Sequence, residues 1–530
     1  MNRIRLPFWR TLLGFVPIAI SLILLPSAWS QSPSPSSYSS AAANVREGRA
    51  DLAIPVLESI LGRAPNDLKA RNLLGIALLN EGRKEEAIAQ FRKALQIDPA
   101  FLPALKNLAV NEMALGRQLD AKSHFEQLLK LVPTDAVAHL YMGEICFAEH
   151  RHSEAVSHYS QSGGLHLKDP QTAVHFATSS LELNQAPAAE QALASLPPDA
   201  AQFQFEAGVL LAGAKRYDAA AHHFQLAQQG FPDPYQVGFN LTLVYVNGHN
   251  YPAAIEAGEK LARDFPKAEL YNLLSRAYEA AGRTQEAYDA LRTAARIDPR
   301  DEANYLDLMS LCLKHENWDL SLEISDVGLA NVPQSYRVRL QRGAVLAMKG
   351  RLQEAAGEFL AAAKLAPESN FPVVALAIVQ IELKQTEQAV DLLRARRKSN
   401  PKDYLVDWFL GEALNQQGVE SGSANEKEAV ESLQDAVRAN PAAAPPRVLL
   451  GKLLVKRGES DRATRQFEEA LKVEPNDVTA AYQLALLYRK AGNTKGAEEL
   501  MTKVGKATSA PESGGVTRRD LARIVREASK

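Results

Sequence analysis

The stretch Leu73–Pro99, LLGIALLNEGRKEEAIAQFRKALQIDP, holds two helical patterns separated by a glycine turn. The apolar run before Asn80-Glu81-Gly82 predicts one helix, which Gly82 can end because glycine adopts the left-handed conformation at little cost. Glu85 to Ile97 places apolar side chains at helical spacing on one face and predicts a second helix. Asp98-Pro99 ends that helix, since proline disfavours helical geometry in the residue before it. The stretch therefore predicts a helix-turn-helix pair.

The same spacing returns along most of the chain. Gly75 and Ala87 are small residues where two helices must approach closely, and Phe91 fills the space beside them. Prolines that follow second helices lie at 65, 99, 133, 232, 266, 299, 333, 367, 401, 441 and 475. Nearly every step is 33 or 34 residues, apart from a gap of about three periods after Pro133. This period predicts stacked helix pairs that bury a core between neighbours.

These positions resemble the signature of the tetratricopeptide repeat family. Its Leu-Gly, aromatic, Ala, Phe, Ala, Pro series is matched by Leu74-Gly75, Leu78, Ala87, Phe91, Ala94 and Pro99, and near the end by Leu450-Gly451, Ala463, Phe467, Ala470 and Pro475. The resemblance implies an all-α fold, a right-handed α-solenoid of about 13–14 helix-turn-helix repeats. It covers residues 41–511, and a degenerate first unit occupies roughly 38–67.

The rest of the chain divides into short segments. Residues 31–40 are a Ser/Pro-rich linker, and residues 512–530 predict a C-terminal helix that caps the last repeat. Two repeats depart from the pattern. The unit at 170–200 carries Pro187 and Pro197-Pro198, which predict shortened helices, and the unit at 404–443 carries an insertion at 419–426 that predicts an exposed loop.

Residues 1–30 predict an export signal. Arg3, Arg5 and Arg10 precede the apolar run TLLGFVPIAISLILL, and Ala28-Trp29-Ser30 supplies small residues for cleavage before Gln31. The run is shorter than the roughly 20 apolar residues of a membrane span. An uncleaved anchor with the repeats in the periplasm is the alternative. Both interpretations predict an exported chain, periplasmic or extracellular.

Composition excludes several classes of function. Sixty basic against 62 acidic residues leave a net charge of -2, so no strong field favours nucleic acid, and membrane contact is expected only through a retained anchor. The two cysteines, Cys146 and Cys312, fall on core positions five repeats apart, too far for the Cα separation of about 7 Å that a disulfide allows. They are predicted to be buried thiols.

Chemical motifs are missing from the sequence. It contains no P-loop, dinucleotide fingerprint, HExxH pair or nucleophile elbow, so no catalytic residue, cofactor site or metal ligand is assigned and an enzyme is not expected. Ten of the 11 histidines lie between His124 and His249. We interpret them as surface substitutes for Lys or Gln, with a metal or pH-sensitive site as the alternative. The basic run at 394–398 is interpreted as a solvated helix end, with a docking patch for an acidic partner as the alternative.

The family resemblance supplies the functional hypothesis. It implies that the first helices of the repeats line a concave groove that holds a peptide or helix of a partner protein. The groove positions carried over to this chain are Asn72, Asn107, Tyr141, Phe205, Phe239, Asn240, Arg276, Trp408, Glu412 and Tyr482. Packing of the aromatic members against adjacent helices is the alternative. The Lys/Asn/Arg clamp for acidic chaperone tails does not occur.

The favoured function is a non-enzymatic exported scaffold for protein partners. One alternative is a subunit of a periplasmic envelope machine for exopolysaccharide export or outer-membrane assembly. Another is a metal-responsive sensor that uses the histidine-rich region 124–249.

The export signal is tested by the mass of the mature chain. We expect the protein recovered from its native host to begin at Gln31, because the small residues at 28 and 30 fit the signal peptidase. Ala28→Phe should block cleavage, and Ala42→Phe serves as a control downstream of the site. A wild-type chain that keeps residues 1–30 would exclude the cleaved form.

Overall fold

The computed structural model describes residues 35–418, 420, 422–508 and 516–528. The predicted export signal lies outside these residues. All regular elements in the described part are helices and none is a β-strand, which confirms the all-α prediction. No helix within these ranges is long and apolar enough to cross a membrane.

The α-helices follow one another with short connections. They are α1 Pro35–Arg46, α2 Ala50–Arg63, α3 Leu68–Asn80, α4 Lys84–Ile97, α5 Leu102–Ala114, α6 Gln118–Leu131, α7 Ala136–Ala148, α8 His152–Ser160, α9 Pro170–Glu182, α10 Ala186–Leu193, α11 Ala201–Gly213, α12 Tyr217–Ala227, α13 Pro234–Asn247, α14 Tyr251–Asp264, α15 Ala268–Ala280, α16 Thr284–Ile297, α17 Glu302–Lys314, α18 Trp318–Asn331, α19 Tyr336–Met348, α20 Leu352–Leu365, α21 Phe371–Glu382, α22 Thr386–Ser399, α23 Tyr404–Gln416, α24 Ala424–Ala439, α25 Ala444–Lys456, α26 Ser460–Val473, α27 Val478–Lys490, α28 Thr494–Thr508 and α29 Val516–Ala528.

The helices pair in chain order. Odd-numbered helices up to α27 are the first helices of pairs and even-numbered helices are the second, and short turns make the two antiparallel. The chain forms two compact units that divide between Phe265 and Pro266. Within unit 1, first helices contact each other: α7 packs against α9, and α9 packs against α11. Within unit 2, α17 touches α19, α19 touches α21, and α21 touches α23.

A glycine–aromatic seam joins the two helices of many pairs. A Cβ at Gly343 would lie 2.5 Å from a ring carbon of Phe359, closer than side-chain carbons approach each other. Phe359 is fully buried. The same contact recurs at Gly75–Phe91, Gly143–Tyr159, Gly208–Phe224 and Gly451–Phe467. The predicted role of the repeated glycine, a close helix approach, is confirmed.

Hydrogen-bonding caps start the first helices. Asp67 lies two residues after Pro65, and its carboxylate accepts hydrogen bonds from the backbone N–H groups of Lys69 and Ala70. Asp135, Asp301, Ser335, Asp403 and Asp477 cap their helices at the same distance from a proline. Each such cap stabilises a helix by about 1 kcal/mol. The proline thus ends one helix and the capping residue begins the next.

The turn inside each pair requires a left-handed backbone. Gly82 supplies it in the quoted stretch, with φ of 74°. His150, Asn184, Lys215, His249, Glu316 and Lys384 adopt it without glycine. A non-glycine residue there costs about 1 kcal/mol, so stacking rather than the turn residue maintains the fold in these repeats.

The structure refines three expectations from the sequence, for the linker, for the short helices and for the inserted loop. Residues 35–40 of the expected linker belong to α1, and Tyr38 packs on the core of the first repeats. The shortened helix expected near Pro187 is α10, but α8 is short as well, because Gly163 and Gly164 turn the chain into a 3-10 helix at Leu165–Leu167. The loop expected at 419–426 ends earlier than expected, because α24 begins at Ala424.

The seam can be tested with two glycines of one repeat. Gly343→Ala should lower the free energy of unfolding of that repeat by about 1–3 kcal/mol, because Phe359 has no space to move. Gly357→Ala, in α20 with nothing within 4 Å of its Cβ, should instead stabilise it by up to about 1 kcal/mol. Hydrogen exchange of the α19 and α20 amides measures both effects locally. Equal effects of the two substitutions would contradict the seam.

Candidate functional site

In unit 1 an amide pair bridges adjacent first helices. The side-chain Nδ2 of Asn107 on α5 donates a hydrogen bond of 2.9 Å to Oδ1 of Asn72 on α3. Both side chains are half-buried. The structure therefore brings two predicted groove residues together, and their bond links one repeat to the next.

A histidine–carboxylate cluster follows in the same unit. Glu144 of α7 accepts a hydrogen bond of 2.6 Å from the Tyr159 hydroxyl, and one of its oxygens lies 3.0 Å from Nδ1 of His175 on α9. The His175 ring stacks on Phe147, with centroids 4.0 Å apart. Burial, aided by the charge of Glu144, raises the pKa of the predicted residue Tyr141 to about 12. The cluster ties α7, α8 and α9 together.

Two predicted aromatic anchors belong to the core. Phe205 is 2% exposed and stacks on Phe231, with centroids 4.2 Å apart. Phe239 is 5% exposed and lies beside Tyr235. Both side chains thus follow the alternative interpretation, in which the aromatic residues pack against adjacent helices. The reason is that aromatic residues around them fill the space that an open groove would leave.

The remaining predicted residues lie in different surroundings. Asn240 is buried in α13, and neither its amide nitrogen nor its amide oxygen has a hydrogen-bond partner among the described residues. Arg276 is exposed on α15. Glu412 is half-buried, and burial raises its pKa. Tyr482 is 42% exposed on α27, one turn before the equally exposed Leu486.

In unit 2 the C-terminal helix lies on first helices. The predicted cap on the last repeat is corrected, because α29 packs against α19 and α21, several repeats earlier in the chain. Leu521 and Ile524 are buried, and they belong to the same apolar cluster as Val374 and Trp408. We call the surface formed by α19, α21, Tyr404 and Trp408 the C-terminal groove.

Three polar contacts flank this apolar packing, and one of them is the ion pair of Arg523 with Glu474, whose charged atoms lie 3.7 Å apart. The Tyr404 hydroxyl hydrogen bonds to both carboxylate oxygens of Glu527, at 2.7 and 2.6 Å. Burial and this bond raise the pKa of Tyr404. The guanidinium of Arg523 lies 5.3 Å from the ring centroid of Trp408, within the range of a cation–π contact. The predicted groove residue Trp408 is therefore covered by the chain itself and is only 3% exposed.

The basic run at the end of α22 is paired with acidic residues. Arg397 contacts Asp407 at 2.8 Å and Asp435 at 2.6 Å, and Arg394 pairs with Glu428 at 2.6 Å. Burial raises the pKa of Asp407 to about 6, although Arg397 opposes the shift. Neither a solvated helix end nor a docking patch describes these arginines. They connect one repeat to the next.

The histidine-rich region is partly buried. His139, His166 and His223 are at most 7% exposed, so the prediction of surface positions is wrong for them. His139 and His158 approach with Nδ1 atoms 2.9 Å apart. No group of three or more His, Cys, Asp or Glu side chains that could hold a metal ion occurs in the part of the chain that the structure describes.

Both cysteines are buried free thiols, as predicted. Burial raises the pKa of Cys146, and it raises the pKa of Cys312 to about 11.

Sequence reasoning missed the partners of the C-terminal helix. Its apolar stripe is visible in the sequence, since Leu521, Ile524 and Val525 share one helical face. Nothing in the local pattern points to Tyr404 as the partner of Glu527, because the two residues lie far apart in the chain.

Comparisons with known proteins agree with the helix pairs. The tetratricopeptide repeat model matches residues 40–100, 183–234, 240–302, 313–370 and 448–511, more than half of the chain. Among solved structures, yeast Tom70 is similar at 16% identity, over 81% of this chain and 96% of that chain, with a TM-score of 0.38. The APC/C hetero-tetramer Cut9–Hcn1 matches at 13% identity, over 92% and 95%, with a TM-score of 0.33. MamA matches at 19% identity, over 32% and 94%, with a TM-score of 0.28. No curated protein sequence matches the chain.

We expect His223 to make the stability of unit 1 depend on pH. It lies buried with Nδ1 2.6 Å from Oε1 of Gln204, and burial lowers its pKa to about 4. The unfolded chain therefore binds more protons below pH 6.5, so stability is full above that pH and falls as the pH drops toward 4. Between pH 7 and pH 5 this histidine should cost about 2 kcal/mol of the free energy of unfolding.

Urea denaturation of His223→Gln at both pH values measures this contribution. We expect the variant to lose less stability on acidification than the wild type. The neighbouring exposed residue His222 gives the control, since the variant His222→Gln should still lose most of the stability that the wild type loses on acidification. Identical pH dependence in wild type and His223→Gln would show that the buried imidazole does not titrate as described.

Proposed function

The chain belongs to the tetratricopeptide repeat family, and we propose that it is a non-enzymatic scaffold that holds partner proteins on its first helices. The packing of α29 on α19 and α21 is the observation that carries the proposal. A face of first helices that buries an amphipathic helix of this chain has the shape and polarity that a partner helix requires.

A second part of the unit 2 surface supports the same function. Tyr482 and Leu486 lie one helical turn apart on α27, and each exposes about two-fifths of its surface. An exposed aromatic residue beside an exposed aliphatic residue is the type of anchor that protein interfaces bury. Unlike Trp408, this pair is accessible without any movement of the chain.

We further propose that the scaffold works outside the cytoplasm. The basic start, the apolar run and the small residues before Gln31 support this location. The partners would then be envelope proteins, and a machine for exopolysaccharide export or outer-membrane assembly is the narrower candidate.

Photo-crosslinking in the native host tests the scaffold. A photoreactive phenylalanine analogue at position 482 or 486 should capture a defined partner. Position 360 on the second helix α20 is a matched control, because Leu360 is 48% exposed, and we expect no partner there. Leu486→Lys should reduce capture from position 482 at least several-fold, since it places a charge inside the apolar contact. Capture from position 360 alone, or from none of the three positions, would contradict the proposal.

A further inference from the structure

The C-terminal helix has the features of a ligand. We propose that the C-terminal groove is a binding site for an amphipathic helix of a partner protein, and that α29 occupies this site until such a helix displaces it. The inference rests on the proposed scaffold function and specifies one of its sites together with the chemistry of the partner.

The apolar side of α29 matches a helix bound in a groove. Leu521, Ile524, Val525 and Ala528 follow the spacing i, i+3, i+4 and i+7, which places them in one stripe. Leu521 and Ile524 are 1% exposed, and Ala528 is 6% exposed. On the other side of the helix, Arg526 is exposed. The groove thus buries one stripe and leaves the opposite face in water.

The polar contacts of α29 define what else a partner needs. Arg523 lies over Trp408, and Glu527, one turn later, accepts the hydroxyl hydrogen bond of Tyr404. Both groove residues belong to α23, so they recognise a cation and a carboxylate spaced by four residues on the bound helix. A partner helix should therefore combine the apolar stripe with Arg or Lys followed four residues later by Glu or Asp.

The packing of α29 is separate from the repeat architecture. Fourteen helix pairs precede it in the described residues, and its packing partners α19 and α21 are both first helices. It therefore adds no further pair to the stack. Leu521, Ile524 and Ala528 of α29 join the apolar cluster that repeat residues from Leu322 to Leu487 form, so α29 extends this core over one side of α19 and α21.

The covalent connection determines how the site is regulated. Residues 509–515 join α29 to α28, so the binding of α29 is intramolecular. A short tether gives an effective concentration of about 1 mM. If α29 by itself binds the free groove with a Kd of about 10 µM, the closed state is favoured about 100-fold, and any partner helix binds roughly 100-fold more weakly than it binds the free groove. Only a partner with better contacts, or one that also uses another surface, opens the groove.

The test uses the full-length chain and a peptide. The variant L521E/I524E places two carboxylates in the apolar stripe and should release α29, which hydrogen exchange of the 516–528 amides verifies. A fluorescein-labelled peptide of residues 514–530 with the wild-type sequence is the probe, and anisotropy measures its binding. We expect the variant to bind the peptide at least tenfold more tightly than the wild-type chain. Arg526→Glu, on the exposed face, should bind it as weakly as the wild type.

Two further changes locate the bound peptide. Adding Trp408→Ala to L521E/I524E should weaken peptide binding at least tenfold, and a peptide with Glu527→Gln should also bind more weakly. Circular dichroism confirms that each variant is folded. The proposal is overturned if α29 stays protected despite both glutamates, if the released variant does not bind the peptide, or if the wild-type chain binds it equally well. Crosslinking at Tyr482 does not involve α29. Its result therefore tests the scaffold function independently of the binding site proposed for the C-terminal groove.

Discussion

The close approach of two helices at the glycine–aromatic seam is the constraint on which the rest of the structure depends. Where Gly343 faces Phe359, the missing Cβ allows the ring to lie against the backbone of the first helix. This fixes the distance within a pair, and the same distance in the next pair lets the two stack. A solenoid can repeat only if this distance repeats. Polar bonds between pairs, such as Asn107 to Asn72, then add to a geometry that packing has already set.

The sequence predicts this part of the structure well, because the seam is local. Gly75, Ala87, Phe91 and Pro99 lie within one repeat, and their spacing alone specifies two helices, a turn and a contact. The family register assigns Asn72, Asn107 and Trp408 to the groove, and the structure places each of them at a contact between helices. The register does not predict that Phe205 and Phe239 are buried, because it defines a direction and not the exposure of a side chain. At these two positions exposure depends on the neighbouring rings of Phe231 and Tyr235.

The destination of the C-terminal helix could not be predicted for a similar reason. Its apolar stripe requires a partner, and the end of a repeat stack is the partner that the sequence makes obvious. The structure places it on α19 and α21 instead. Two contacts on α23 accompany the apolar packing there, since Glu527 accepts a hydrogen bond from Tyr404 and the guanidinium of Arg523 lies over Trp408. These contacts join residues more than a hundred positions apart, and no local pattern contains them.

Both units join their first helices through polar side chains, and unit 2 also buries a helix against two of them. In the described part of unit 1, Glu144 on α7 bonds to both Tyr159 on α8 and His175 on α9, so polar groups join neighbouring repeats. In unit 2, the Gln341 amide on α19 donates a hydrogen bond to Ser310 on α17, and Arg397 joins α22 to α23 and α24. There α19 and α21 also bury α29. Trp408 and Tyr404 make contacts outside the stack, and α29 covers both. The C-terminal groove is therefore closed when α29 is bound and open when α29 is released. The free energy that separates these states is set by α29, so selection of a partner depends on the strength of an internal contact as well as on the partner's own sequence.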